Sequence, residues 1–271
     1  MGSHKTGVEG DGLGDWRLQA ATRLAADLPA AYVGGPAHKA GTALILTMMA
    51  DAPGHARLAF PTPSAPALAL SAGFRSAELA AQLWPQVTFS QTLTPEGPGE
   101  AVAAEHVGTL FAYFEACIAA ANSSFQAIEA FANETIARLL TGTMELPRRN
   151  GPELMTAEQI ERTVATDEKL GTVLPKLLNL APIKGQAEWE LFKKLKDVRD
   201  ASTHFKSGDQ YPSNGTASNG SLYYLLLNTD PRQYPVAAVR VISRLLAGAG
   251  QPRWLTHLAE KHAVTTTGRA K

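Results

Sequence analysis

Between residues 107 and 140 apolar side chains return every three or four positions: Val107, Leu110, Phe111, Phe114, Ile118, Ala121, Phe125, Ile128, Ala132, Ile136 and Leu139. That is the period of a helix with one buried face, sustained well beyond the usual three or four turns. The chain from about residue 105 onward keeps this helical texture. Thr156 with Gln159 reads as a capping box opening a helix to about residue 165. Further helices are expected over 167–178, from about residue 184 to 205, over 235–246 and over 254–262. Ser, Asn and Gly crowd residues 211–220, which read as a loop.

The N-terminal third has a different texture. Residues 16–28 place Leu18, Ala21, Leu24 and Leu28 at helical spacing. Residues 42–49 and 56–60 read as strands, separated by Asp51-Ala52-Pro53-Gly54. The prolines at 61, 63 and 66 point to extended or loop backbone. A short helix is expected over 76–84, then an alternating edge strand over 87–93 that Glu96-Gly97-Pro98-Gly99 closes. The expected fold is mainly α, a helical bundle over 105–262 with an N-terminal α/β extension over 16–100. Residues 1–15 and the basic tail 263–271 are expected to be disordered.

Charge and composition narrow the class. Lys plus Arg and Asp plus Glu both number 25, so no global basic field points to nucleic acid. From Arg232 to the end, however, seven basic residues face one acid, Glu260, which makes either a phosphate-facing surface or a merely solvated terminus. The single cysteine, Cys117, lies in the apolar pattern and rules out a disulfide within the chain, which fits a reducing cytoplasm. The first fifteen residues lack the apolar core of a signal peptide, and no run of about twenty apolar residues offers a membrane span.

The chemistry concentrates in residues 188–205, E-W-E-L-F-K-K-L-K-D-V-R-D-A-S-T-H-F. Trp189, Phe192, Leu195, Val198 and Phe205 mark the buried face, with Ser202 keeping the spacing. On a helical wheel Arg199 falls about 20° from Phe192 and about 40° from Leu195, inside that face. A charge there must be paired, or must lie along the core with its head in water. The long helix offers a polar stripe of Glu115, Asn122, Gln126, Glu129 and Asn133. Glu129, about 40° from Phe125 on the wheel, borders the core and is the expected partner of Arg199.

A helix carrying F-Q-A-I-E-A-F-A-N over 125–133, followed by one ending V-R-D-A-S-T-H-F, resembles the HEPN (higher eukaryotes and prokaryotes nucleotide-binding) domain family. Arg199, Asp200 and His204 match its Arg-x4-His signature, and the resemblance covers about residues 105–262. It implies a metal-independent endoribonuclease, without cofactor, that cuts RNA by attack of the ribose 2′-OH. His204 would move the proton, Arg199 would stabilise phosphoryl charge and Asp200 would orient the histidine, with Glu129 and Asn133 in support. The resemblance also implies a homodimer, a role as a toxin or antiviral defence effector, and an antitoxin or defence partner. In a regular helix Arg199 and His204 point about 140° apart, so they converge only if the helix end distorts or two copies meet. The alternative is a non-catalytic HEPN-like module for dimerisation, nucleotide binding or protein interaction. His257 and His262 lie five apart, which disfavours a zinc pair, and Ser202 and Ser207 lack a nucleophile-elbow motif. Tyr223 and Tyr224 read as core.

Overall fold

The computed structural model describes residues 13–27, 37–94, 97–207, 219–247 and 250–265. The expected disorder of the two ends and the loop after residue 210 fall almost wholly outside these residues. In chain order the first elements are strands β1 (Ala21–Arg23), β2 (Ala43–Ile45), β3 (Thr47–Ala52) and β4 (His55–Pro61) and helix α1 (Ala65–Leu83). Strands β5 (Phe89–Thr94) and β6 (Gly97–Val102) then lead into α2 (Val107–Leu139). After β7 (Thr143–Leu146) and β8 (Glu153–Thr156) come α3 (Ala157–Thr163), α4 (Thr166–Glu168), a π-helical turn (Lys169–Val173) and α5 (Leu174–Leu178). Helices α6 (Ala187–Thr203), α7 (Leu222–Asn228), α8 (Gln233–Leu245) and α9 (Arg253–Lys261) follow. Every sheet among the described residues is a two-stranded antiparallel ribbon between successive strands.

The long stripe forms one unbroken helix of 33 residues, and Cys117, Phe125, Ile128, Ala132 and Ile136 are buried along it. Its ends overshoot the core, leaving Val107, Phe111 and Leu139 exposed. Helix α1 lies along α2 and is longer than its periodicity suggests. The Ser64 hydroxyl accepts from the Ala67 N–H, and Pro66 sits in the first turn, where a missing N–H costs nothing. The proline cluster thus starts a helix instead of prolonging a loop. Small residues let the two backbones approach: a Cβ added to Gly73 would come within 2.7 Å of Ser124 Oγ. Leu70 and Phe74 of α1 share one core with Ile128, Phe192, Val241 and Leu255, so the end of the N-terminal block is built into the helical bundle.

The expected helix over residues 16–28 is not formed. Thr22 pairs with Leu44, the Gln19 N–H donates to the Thr62 carbonyl and the Leu24 N–H donates to the Thr42 carbonyl. A partner strand supplies these bonds, which short local propensity does not outweigh. The 42–49 strand divides at Leu46, whose N–H turns to the Ala20 carbonyl. Gly97-Pro98-Gly99, read as part of the segment that closes this block, instead begins strand β6. The capping box forms as read, with Thr156 and Gln159 bonding reciprocally. Among the described residues no helix is long and apolar enough to cross a membrane.

Helix α9 docks through aromatic faces. The His262 ring stacks on Phe74 at 3.7 Å with Nδ1 at 3.3 Å from Glu78 Oε1, and His257 stacks on Trp16 at 4.7 Å. Burial pushes both imidazoles below their ordinary pKa, although Glu78 pulls His262 the other way. A base with a depressed folded pKa contributes stability that is present above its unfolded value of about 6.5 and lost as pH falls through the folded value. Thermal unfolding is therefore expected at lower temperature near pH 5 than near pH 7.5, roughly, with the change flattened in His262→Phe, which keeps the stack and removes the titration. An identical pH profile in that variant would show that His262 contributes nothing to it.

Candidate functional site around Arg199 and His204

Helix α6 buries most of the face its spacing marks: Phe192, Leu195, Val198 and Ser202 are inside and Trp189 is half-buried, whereas Phe205, expected on that face, lies past the end of the helix and is exposed. Its last turn is tied to α2 by the Ser202 hydroxyl, which donates to Asn122 Oδ1 at 3.1 Å. Arg199 emerges within that face and is half-buried, its side chain 33% exposed. The guanidinium carbon lies 4.6 Å from the centre of the Phe125 ring, and Nη1 donates to Asp200 Oδ1 at 2.8 Å. A π face below, a carboxylate beside it and water above together offset the cost of placing this charge in an apolar stripe.

Glu129 is not the partner of Arg199. Phe125 occupies the place on α2 that faces the guanidinium, and Glu129, one turn further on, accepts from Thr166 Oγ1 at 3.1 Å. Asn133, another turn on, accepts from Lys169 Nζ at 2.8 Å, and the same ammonium donates to the Glu161 carbonyl at 2.9 Å. Lys169 is only 1% exposed, and burial pushes its pKa down against the pull of Glu129 and Glu161. Glu129 and Asn133 therefore hold the π-helical turn against α2, one or two helical turns from the arginine. Such turns are frequent at functional sites.

Asp200 is also differently engaged from its expected role. Its Oδ1 takes the Arg199 hydrogen bond, and its Oδ2 takes one from Lys196 Nζ at 2.7 Å. Burial works to raise this carboxyl, but the bonds from Lys196 and Arg199 outweigh it and hold the pKa below the ordinary value. With both oxygens occupied by cations, Asp200 orients Arg199 and not the histidine. His204 caps the helix with non-helical backbone, φ −122° and ψ 69°, its N–H donating to the Asp200 carbonyl at 2.9 Å. Its imidazole is exposed at the rim of an open hollow walled by Asp200, Ala201, Lys206 and Leu225. Among the described residues no side chain hydrogen-bonds that imidazole. Arg199 is not in the wall of the hollow, so within one chain the two motif side chains diverge, as the helical geometry anticipates.

Three of the seven basic residues of the C-terminal stretch are engaged within the chain. Arg232 pairs with Asp230, Arg244 Nε donates to Gln186 Oε1 at 2.8 Å and Arg253 donates to the Gly14 carbonyl at 2.7 Å. Among the described residues no group of three or more His, Cys, Asp or Glu is gathered closely enough to hold a metal ion. Two contributors escaped the sequence reading. The i,i+4 spacing of Lys196 and Asp200 could have revealed the first. Lys169, flanked by Leu170, Val173 and Leu174, could have revealed a buried cation by its apolar neighbours. No family model matches this sequence, and no curated protein or solved structure was found to be similar to it.

Proposed function

We propose that the chain is an endoribonuclease of the HEPN type, working as a pair of copies whose α6 ends meet. The observation that carries this reading is the Arg199 arrangement. Its guanidinium is laid over Phe125 and aligned by Asp200 while part of it stays open to solvent, and it stands about one and a half turns before the exposed His204. A planar, pre-aligned guanidinium suits a phosphodiester, and an imidazole suits proton transfer. Because the two side chains diverge in one copy, Arg199 of one chain and His204 of another would complete a composite cleft about a two-fold axis.

In the proposed reaction the ribose 2′-oxygen attacks the adjacent phosphorus and the bond to the 5′-oxygen breaks. His204 accepts the 2′-OH proton, and the second copy's histidine, protonated, delivers one to the leaving oxygen. Arg199 stabilises charge on the non-bridging oxygens. The products are a 2′,3′-cyclic phosphate and a 5′-OH. Such an activity inside a cell requires restraint, which agrees with a toxin or defence role and a neutralising partner. The purified chain in excess EDTA is expected to cut single-stranded RNA and leave cyclic phosphate ends. Intact RNA across a diverse pool, with the chain shown to be dimeric, would overturn the reading. The second reading, a non-catalytic dimerising or nucleotide-binding module, is favoured by one observation: nothing among the described residues orients the His204 imidazole. Dimerisation without cleavage is its signature.

A further inference from the structure

We propose that the cleft beside Trp84 is a base-stacking subsite for single-stranded RNA, an inference that rests on the ribonuclease reading. Pro85 stops helix α1 and turns Trp84 outward at the start of a short 3-10 turn. The indole is 37% exposed although it has aromatic neighbours to pack against. It lies 4.9 Å from the Tyr113 ring and 6.0 Å from Phe89. Tyr113 is itself fixed, its hydroxyl donating to the Leu226 carbonyl at 3.0 Å. The Trp84 and Tyr113 rings form one wall of a cleft of about 480 Å³. The other wall is polar: Asn228, Thr229 and the Asp230–Arg232 pair, in which Arg232 Nε and Nη2 bond both carboxylate oxygens at 2.8–3.1 Å.

That combination selects a ligand class. A pocket of this size with an aromatic wall and a few polar groups fits a small planar molecule. Arg232 is paired with Asp230, which weakens it as an anchor for a lone phosphate. The cleft offers a π face on one side and neutral amide and hydroxyl groups on the other, which is what a nucleobase requires. Its position relates it to the motif. Helix α7 has Leu225 in the wall of the His204 hollow and Leu227 and Asn228 in the wall of the Trp84 cleft. Seven residues at 1.5 Å each make that helix about 10 Å long, a step of roughly two or three stacked nucleotides. A base two or three nucleotides from the cleavage point would thus stack on Trp84 while the scissile phosphate lies at His204.

The test uses the full chain in a His204→Ala background, so that RNA is not consumed, and a fluorescently labelled single-stranded RNA 12-mer of mixed sequence. Adding Trp84→Ala is expected to weaken binding roughly 5- to 100-fold, the range for losing one stacked base. Trp84→Phe keeps a smaller ring and is expected to weaken binding less, while removing the Trp84 share of the RNA-dependent quenching of tryptophan emission and leaving that of Trp16, Trp189 and Trp254. Matched helical circular dichroism identifies the variants that fold, and if the alanine variant does not, the phenylalanine variant decides. Unchanged affinity in a folded Trp84→Ala chain, or quenching as large in Trp84→Phe as in its parent, would overturn the proposal. So would equal, Trp84-dependent binding of a fully paired duplex, because a paired base cannot enter the cleft. The two readings fail separately: Trp84-dependent binding with no cleavage by the wild-type chain removes the ribonuclease and keeps the subsite. Cleavage with a KM indifferent to Trp84 removes only the subsite.

Discussion

His204→Ala is expected to cut the rate of RNA cleavage by on the order of 10²–10⁴ while the fold stays intact, because loss of a positioned general acid or base has that magnitude. The imidazole is exposed and its side chain bonds nothing among the described residues, so stability should change by no more than about 0.5 kcal/mol. Arg199→Ala is expected to lose cleavage as well, with a less clean readout. It removes the contact with Phe125 and leaves Lys196 as the remaining cation bonded to Asp200. Arg199→Lys should not rescue, since an ammonium keeps the charge but not the planar fork. Single-turnover gel assays with unfolding curves on the same preparations separate rate from stability. Wild-type cleavage by folded His204→Ala would remove the mechanism.

The largest stability effect is expected at Lys169. Truncation to alanine leaves Asn133 Oδ1 and the Glu161 carbonyl without their donor, strips Glu129 of a nearby cation and opens a void under the π-helical turn. Breaking a buried charged network in this way costs about 3–5 kcal/mol, a large part of the 5–15 kcal/mol typical of a whole domain. Lys169→Met fills the same length and is expected to cost less, about 1–3 kcal/mol, for the acceptors alone. Urea unfolding curves should rank the two variants in that order. Alanine and wild type within 1 kcal/mol of each other would show that the network contributes little. Because Glu129 bonds Thr166 and not Arg199, Glu129→Gln should act on stability through the same turn and leave the cleavage rate of folded protein nearly unchanged.

Periodicity proved a good guide wherever one face of a long element is buried against many neighbours. Helix α2, the capping box at Thr156 and the α6 face bearing Arg199 all follow from spacing and cap chemistry. The 140° divergence of Arg199 from His204 was equally legible, since α6 stays regular to Thr203. Short segments were legible only in part: the strands expected over 56–60 and 87–93 form as β4 and β5, but others do not follow their spacing. Residues 21–23 carry helical spacing yet pair with β2, because strand bonds come from residues some twenty positions away.

The same limit governs the site. From the sequence alone came the position of a charge inside an apolar stripe and the need for something to compensate it. Which group does so depends on the axial register of α6 against α2. A shift of one turn along α2 decides whether the guanidinium meets Glu129 or Phe125, and the packing places Phe125 there. Register is set by how Phe192, Leu195 and Val198 seat against the whole core, a sum over many weak contacts that no local pattern encodes. The residues therefore determined which face of α6 carries the chemistry. Only the tertiary packing decided that Asp200 and an aromatic ring hold Arg199, and that Glu129 and Asn133 serve a buried lysine instead.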